Sequence, residues 1–213
     1  DTAAPNLLVL TILMLATADF SVYWIHRICH ETNLVWPLHS LHHSAEELNP
    51  VTSFRHHPAF FVLNGVLQGI SIGFVQGIVL ILLFDDISVY QIVNTNAAYA
   101  IFNLAGSNLR HSHIWLSFGR IVEHVIISPA QHQIHHSIDP RHRNKNYGEV
   151  LAIWDWMFGS LYIPQQVEVL AYGLSDDEGN RVEQPHPTFW KALVVPIQDF
   201  WRAVLQLGGK GRA

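Results

Sequence analysis

Apolar positions in this chain come in long unbroken blocks. From Ala59 to Phe84 there are 26 residues without a charge, and from Ile87 to Leu109 another 23, with Asp85-Asp86 between them. About 20 apolar residues cross the hydrocarbon core of a bilayer, so each run predicts a spanning helix. The second run is weaker, because Gln91, Asn94, Asn96, Asn103 and Asn108 interrupt it. Residues 7–25 form a third candidate, apolar through Ala18 and then broken by Asp19. The helical core of a soluble protein is the alternative reading of these runs. Further along, residues 114–127 have helical spacing, but Arg120, Glu123 and His124 make that segment membrane-peripheral. Residues 139–146 read as a basic loop, 161–171 as the one place for a strand, and 173–187 as a solvated loop. Residues 189–207 set Lys191, Asp199 and Arg202 among apolar positions, the pattern of a helix lying in the membrane interface. The pattern predicts an all-α, integral-membrane helical bundle, with residues 1–213 forming one domain.

Composition supports that picture. Apolar residues make up 49% of the chain and charged ones 14%, against roughly 25% charged in a soluble domain. A net charge of −5 excludes the strongly basic surface used for nucleic acid. The single cysteine, Cys29, has no partner for an internal disulfide and sits off the face shared by His26 and His30. The chain opens on Asp1 without a signal-peptide pattern, and the expectation is that it belongs to a longer protein.

The histidines change the picture most. Fourteen of fifteen fall in two windows: His26, His30, His39, His42, His43, His56 and His57, then His111, His113, His124, His132, His135, His136 and His142. Residues three or four apart share a helix face, so H-x-x-x-H and the two H-x-x-H-H boxes each aim several imidazoles one way. Imidazole suits iron, zinc, copper and nickel. The spacing predicts a polyhistidine two-metal site. Asp19, Tyr23, His26 and His30 lie along one helical stripe, so Asp19 is expected to accept a hydrogen bond from a liganding imidazole. A solvated carboxylate at a helix end is the plainer alternative.

Sidedness follows by parity. A centre drawing on both windows needs an even number of crossings between them, which the two apolar runs supply. All twelve Lys and Arg residues lie outside residues 59–109, with the histidines, and cytoplasmic loops carry the Lys/Arg excess. Both arguments predict a metal site facing the cytoplasm.

The residues that carry this pattern resemble those of a known family. They are the stretch from Asp19 through His26 to His30, His39-Ser40-Leu41-His42-His43-Ser44, Phe54-Arg55-His56-His57-Pro58 and Arg110-His111-Ser112-His113. Ser128-Pro129-Ala130-Gln131-His132-Gln133-Ile134-His135-His136-Ser137, Asn146-Tyr147-Gly148 and Trp154-Asp155-Trp156-Met157-Phe158-Gly159-Ser160 complete the set. The chain resembles the fatty acid hydroxylase superfamily, or sterol desaturase family, of integral-membrane di-iron oxygenases, over about residues 19–164. Residues 165–213 add a loop and the interfacial helix. The closing motifs look most like those of bacterial and alkylglycerol monooxygenase-like members. The resemblance implies His26, His30, His39, His42 and His43 as one ligand group and His111, His132, His135 and His136 as the other. His57 and His113 are possible additions; His113 stands where many relatives have Asn. For His56, His124 and His142 a non-ligand reading is favoured, and His186 lies outside every motif. Asp155 and Asn146 are expected to support the site without touching metal.

The resemblance implies two iron ions, O2, a lipid substrate, and hydroxylation or desaturation of an unactivated C–H bond. No G-x-G-x-x-G follows a strand and no cytochrome b5-like domain is fused, so electrons are expected from a separate ferredoxin or cytochrome b5 type of donor. The basic cluster Arg141, Arg143 and Lys145 is the expected dock for that donor or for anionic lipid. Zinc outcompetes ferrous iron for such ligands, so a purified sample can carry zinc. The rivals are a zinc hydrolase, which needs only three protein ligands, and a non-enzymatic metal-binding membrane protein.

Overall fold

The computed structural model describes residues 7–83 and 89–209. The chain runs through eight α-helices among the described residues: α1 (Leu7–Glu31), α2 (Trp36–His43), α3 (Pro58–Leu83), α4 (Val89–Arg110), α5 (Gly119–Val122), α6 (Pro129–His135), α7 (Ile153–Met157) and α8 (Phe189–Gly209). Single turns of 3-10 helix occur at Thr52–Phe54 and Pro140–His142. The expected turn at Asp85-Asp86 lies outside the described residues.

Three long helices set the frame. Helix α1 buries Leu10, Met14, Ala18 and Val22, spaced four apart along one stripe, while Leu8, Val9 and Ile12 are exposed. Helices α3 and α4 both pack on it. The Gln76 side chain on α3 donates to the Met14 carbonyl at 3.0 Å and exchanges amide hydrogen bonds of 2.9 Å with Asn96 on α4. These bonds give each buried amide a partner where water is absent. Otherwise α3 faces outward: Phe61, Val62, Val66, Ile70 and Phe74 are all more than half exposed. A contiguous apolar surface of this kind marks a face that meets a membrane or another apolar surface.

Among the described residues, two helices are long and apolar enough to cross a bilayer, Leu8–Glu31 and Pro58–Leu83. The upstream candidate meets this standard because its helix continues past Asp19 to Glu31, whereas the Asn and Gln residues of α4 leave it below, in line with the weaker second run. The direction of the helices is what matters for the site. His26 and His30 stand at the C-terminal end of α1, His57 directly precedes α3, and His111 directly follows α4. These three helices, α1, α3 and α4, therefore present histidines at one end.

Asp19 is not bonded to any imidazole, which overturns that expectation. Its carboxylate accepts from Tyr99 Oη at 2.8 Å, Trp154 Nε1 at 2.9 Å, and the backbone N–H groups of Val150 (3.2 Å) and Leu151 (3.0 Å). It is buried because it ties α1 to α4 and to the segment entering α7. Two local expectations also fail. Residues 114–127 do not form one helix, because Gly119 sits at φ +79° and Glu123 takes the Phe118 N–H and the Ser128 hydroxyl. Residues 161–171 form no strand; Ile138 donates to the Ala171 carbonyl beside an isolated bridge between Ser137 and Tyr172.

Helix α8 packs on α2. Its Ile197 and Phe200 cover a cluster of Ile25, Cys29, Leu38 and Phe60, so Cys29 points into apolar packing. Phe189, Trp190, Trp201 and Leu205 remain exposed on the other side.

Replacing Asp19 by Ala leaves the Trp154 and backbone donors of residues 150–151 unsatisfied, at on the order of 1–3 kcal/mol for each. The expected outcome is a marked drop in thermal stability in detergent, with Asp19→Asn intermediate. Unchanged unfolding of Asp19→Ala would contradict this role for the carboxylate.

Candidate metal centre

Helices α2 and α6 are short and carry the two H-x-x-H-H boxes. Each has proline in its first turn, where the missing N–H costs nothing. Helix α6 adds a capping box, in which the Ser128 hydroxyl accepts from Gln131 N and the Gln131 side chain accepts from Ser128 N. Adjacent helical residues point about 100° apart, so the paired histidines of each box diverge. Two groups result. His26, His30, His43 and His135 form one; His42, His111, His132 and His136 form the other, with ring nitrogens within 4.8 Å of one another in each. Each box thus splits its His-His pair between the groups, and each group draws on both sequence windows. The groups abut, the rings of His43 and His136 stacking at 4.3 Å.

Within the groups, Nε2 of His132 lies 3.0 Å from Nε2 of His111 and 3.2 Å from Nε2 of His136. A single neutral ring nitrogen cannot satisfy two such neighbours with one hydrogen, whereas a cation among them satisfies all three. Nε2 of His30 and of His135 are buried with no hydrogen-bond partner, so they too are available to a cation. His39 stands beside the first group, its Nε2 3.2 Å from that of His43. Burial, reinforced by the neighbouring imidazoles, holds His39, His42, His43, His132, His135 and His136 well below the ordinary histidine pKa. Burial likewise brings His111 down to about 4. These rings are neutral at pH 7 and keep their lone pairs for metal.

Backbone groups decide which nitrogen faces inward. Nδ1 of His26 donates to the Tyr147 carbonyl and Nδ1 of His135 to the Lys145 carbonyl, both at 2.8 Å. The Thr52 hydroxyl gives its hydrogen to the Asn49 carbonyl, so at 3.3 Å it accepts from Nδ1 of His111. Each bond leaves Nε2 as the ligand atom. The carbonyl-bearing loop is shaped by Asn144 (φ 58°) and Asn146 (φ 55°), conformations that asparagine tolerates. Asp155 accepts from the N–H groups of Tyr147 and Gly148, each at 2.8 Å, and from the Ser160 hydroxyl at 2.6 Å. Asn146 bonds the Gln131 carbonyl and the Tyr162 N–H. A Cβ on Gly148 would lie 2.6 Å from the Leu151 carbonyl oxygen, so only glycine fits there.

Other histidines do different work. His57 is no ligand: its Nδ1 accepts from Ala59 N at 3.0 Å, leaving Nε2 to donate to the Leu193 carbonyl on α8. His113 is exposed and outside both groups. His124 bonds the Arg120 carbonyl, His142 faces Glu168 at 3.1 Å, and His186 bonds Ser44 Oγ. His56, against which the sequence argued, stacks on His42 at 4.1 Å and lines the cavity of about 140 Å3 beside the second group. The basic loop is a mixed-charge surface, with Arg141 paired to Asp139 and Arg143 to Asp177. A larger polar cavity of about 450 Å3, bordered by Asn33, Asp139 and Arg143, opens on His30, His43, His135 and His136.

Helices apolar enough for a bilayer that end at two adjacent all-histidine groups define a candidate polyhistidine metal centre at the end of membrane-type helices. The model of the fatty acid hydroxylase family matches residues 11–160, and the chain belongs to that family. It is 30% identical to an alkylglycerol monooxygenase from Xenopus tropicalis over 74% of this chain and 31% of that protein. It is 29% identical to an ornithine lipid hydroxylase from Rhizobium tropici, covering 77% of this chain and 45% of the relative. With a Delta(7)-sterol 5(6)-desaturase from Aspergillus fumigatus it shares 28% identity over 87% of this chain and 61% of the relative. The chain therefore spans about a third of the length of the alkylglycerol monooxygenases it matches. No solved structure matches it.

Because the groups are separate, His135→Ala and His42→Ala each remove a ligand from a different one. Metal analysis of either purified variant should show about half the metal of the unaltered protein, and His113→Ala the full amount. Unchanged content in His135→Ala would refute the first group as a site.

Proposed function

We propose that the chain is the core of a membrane-bound di-iron oxygenase that oxidises an unactivated C–H bond of a lipid with O2 and external electrons. The observation that carries this reading is the pair of interleaved all-histidine groups at the common end of α1, α3 and α4, two of them apolar enough to cross a bilayer. The alkylglycerol monooxygenase, ornithine lipid hydroxylase and sterol desaturase among its relatives support a lipid as substrate. A hydrolytic zinc centre would not use eight histidines in two groups, since three ligands suffice.

The residues divide the work. His26, His30, His43 and His135 would hold one iron, and His42, His111, His132 and His136 the other. When bound, the iron pair supplies the oxidising power that side chains lack. The Tyr147 and Lys145 carbonyls and Thr52 hold the ring tautomers, so the ligand nitrogens need not reorganise during turnover. Electrons come from a separate donor protein of the ferredoxin or cytochrome b5 type, which meets the molecule on the loop side of the histidines. That side faces the cytoplasm, by the distribution of Lys and Arg.

Iron-loaded protein in liposomes of total lipid extract, given ferredoxin, its reductase and isotopically heavy O2, should yield lipids carrying the heavy oxygen. Loss of two hydrogens from the lipid instead, leaving a new double bond while the heavy oxygen goes to water, would assign a desaturase. Absence of any O2-dependent product across lipid classes, with metal content intact, would overturn the proposal.

Topology is tested separately. Cysteine introduced at Asp86 should react with a membrane-impermeant maleimide added from outside intact cells, and cysteine beside Lys145 only after the membrane is opened. Equal reactivity of both from outside would remove the cytoplasmic assignment.

A further inference from the structure

One large cavity is not accounted for by metal binding. It measures about 560 Å3, lies among α1, α3 and α4, and is lined by Ile72, Ile92 and Ala100 together with Gly69 and Gly73. That is within the roughly 300–1,000 Å3 typical of small-molecule sites. The polar side chains that reach it are already engaged. Gln76 and Asn96 bond each other, Tyr99 donates to Asp19, and Glu149 pairs with Arg110 at 3.2 Å. Gln68 donates to Asn64 on its own helix. A headgroup would find little to bond there, whereas a hydrocarbon chain needs no partner.

The cavity adjoins the metal pocket, with three residues in common. Val22, Gln68 and Glu149 line it and also line the cavity of about 140 Å3 that touches His26, His42, His111 and His132. Gly69 and Gly73 leave open space along the larger cavity, since a Cβ on either would meet nothing within 4 Å, and a longer side chain there would take up part of the cavity. Gly65 and Gly77 on the same helix are equally open but do not line the cavity. The spacing of these glycines alone therefore does not define the site; the cavity does.

We infer that this cavity seats the apolar chain of a lipid substrate, with Gly69 and Gly73 as specificity-determining positions that admit it. The chain lies between α3 and α4, and the segment that passes Gln68 and Glu149 is the one presented to the histidines. Only this last point rests on the oxygenase reading; occupancy by a hydrocarbon chain does not.

The test uses metal-free and iron-loaded protein in liposomes with a long-chain alkylglycerol bearing a diazirine midway along its chain. Photolysis followed by peptide mapping should place the label on residues 58–83 and 89–110 in both forms. Gly73→Leu should lose that labelling, Gly73→Ala should reduce it, and Gly77→Leu should leave it unchanged, with the same metal content in all. In turnover, Gly73→Leu should shift preference toward shorter chains. Label on other segments, or undiminished labelling of Gly73→Leu, would overturn the inference. Correct labelling without any O2-dependent product would leave the chain site standing and remove the oxygenase reading instead.

Discussion

A neutral imidazole offers one lone pair, and in this fold eight such rings turn inward in two sets of four. Lone pairs aimed at one another repel, and burial has removed the water that would otherwise separate them. Protonation offers no escape, because charging one ring beside several others is opposed by both desolvation and like charge, which is why these histidines titrate so low. A cation placed in each set would satisfy the converging lone pairs, and the arrangement could hold one there. Much of the remaining structure serves to hold it: proline-started helices too short to bend, carbonyls that fix tautomers, and a carboxylate, Asp155, that shapes the loop bearing the Tyr147 carbonyl.

The parts of the site that were legible in the sequence are those with helical periodicity. H-x-x-H-H places three rings on neighbouring faces whatever surrounds it, so both boxes and the H-x-x-x-H of α1 could be read directly. Periodicity did not show that adjacent histidines would serve different groups, although the divergence of neighbouring side chains on a helix implies it. His56 and His57 were harder. Identical neighbours outside a helix carry no signal about which one faces inward. The decision comes from Pro58, which starts α3 and leaves His57 to accept the Ala59 N–H. Carbonyl contacts to His26 and His135 left no residue signature at all, beyond the Asn and Gly residues that permit the loop's backbone.

Charge was misleading where sequence distance hid the partners. Asp19 lies three to four turns from the apolar start of α1 and on the stripe of His26, yet its donors come from residues 99 and 150–154. Arg143 likewise finds its partner far along the chain, in Asp177 at 2.6 Å and 34 residues away. Both pairings have one cause: a charged side chain takes whichever partner the tertiary fold delivers, and the local pattern constrains only which way it points.

The same helix directions that gather the histidines also sort the approaches to them. Helix α1 arrives at the cluster, α3 leaves it and α4 returns, so the space between these helices is bounded by apolar side chains, glycine and polar groups already engaged with other side chains. On the other side of the cluster the chain is in loops, and the cavity there is bordered by Asn33, Asp139, Arg143 and Asp177. Reagents of opposite polarity can thus reach one metal centre without sharing a path. A hydrocarbon would cross a polar mouth only at the cost of desolvating its ion pairs, and a hydrated or charged partner would have no stabilising contacts among α3 and α4. A site placed wholly within the apolar helices would exclude the second class, and one placed wholly in the loops would exclude the first. The boundary position of the boxes, at helix ends, is what admits both.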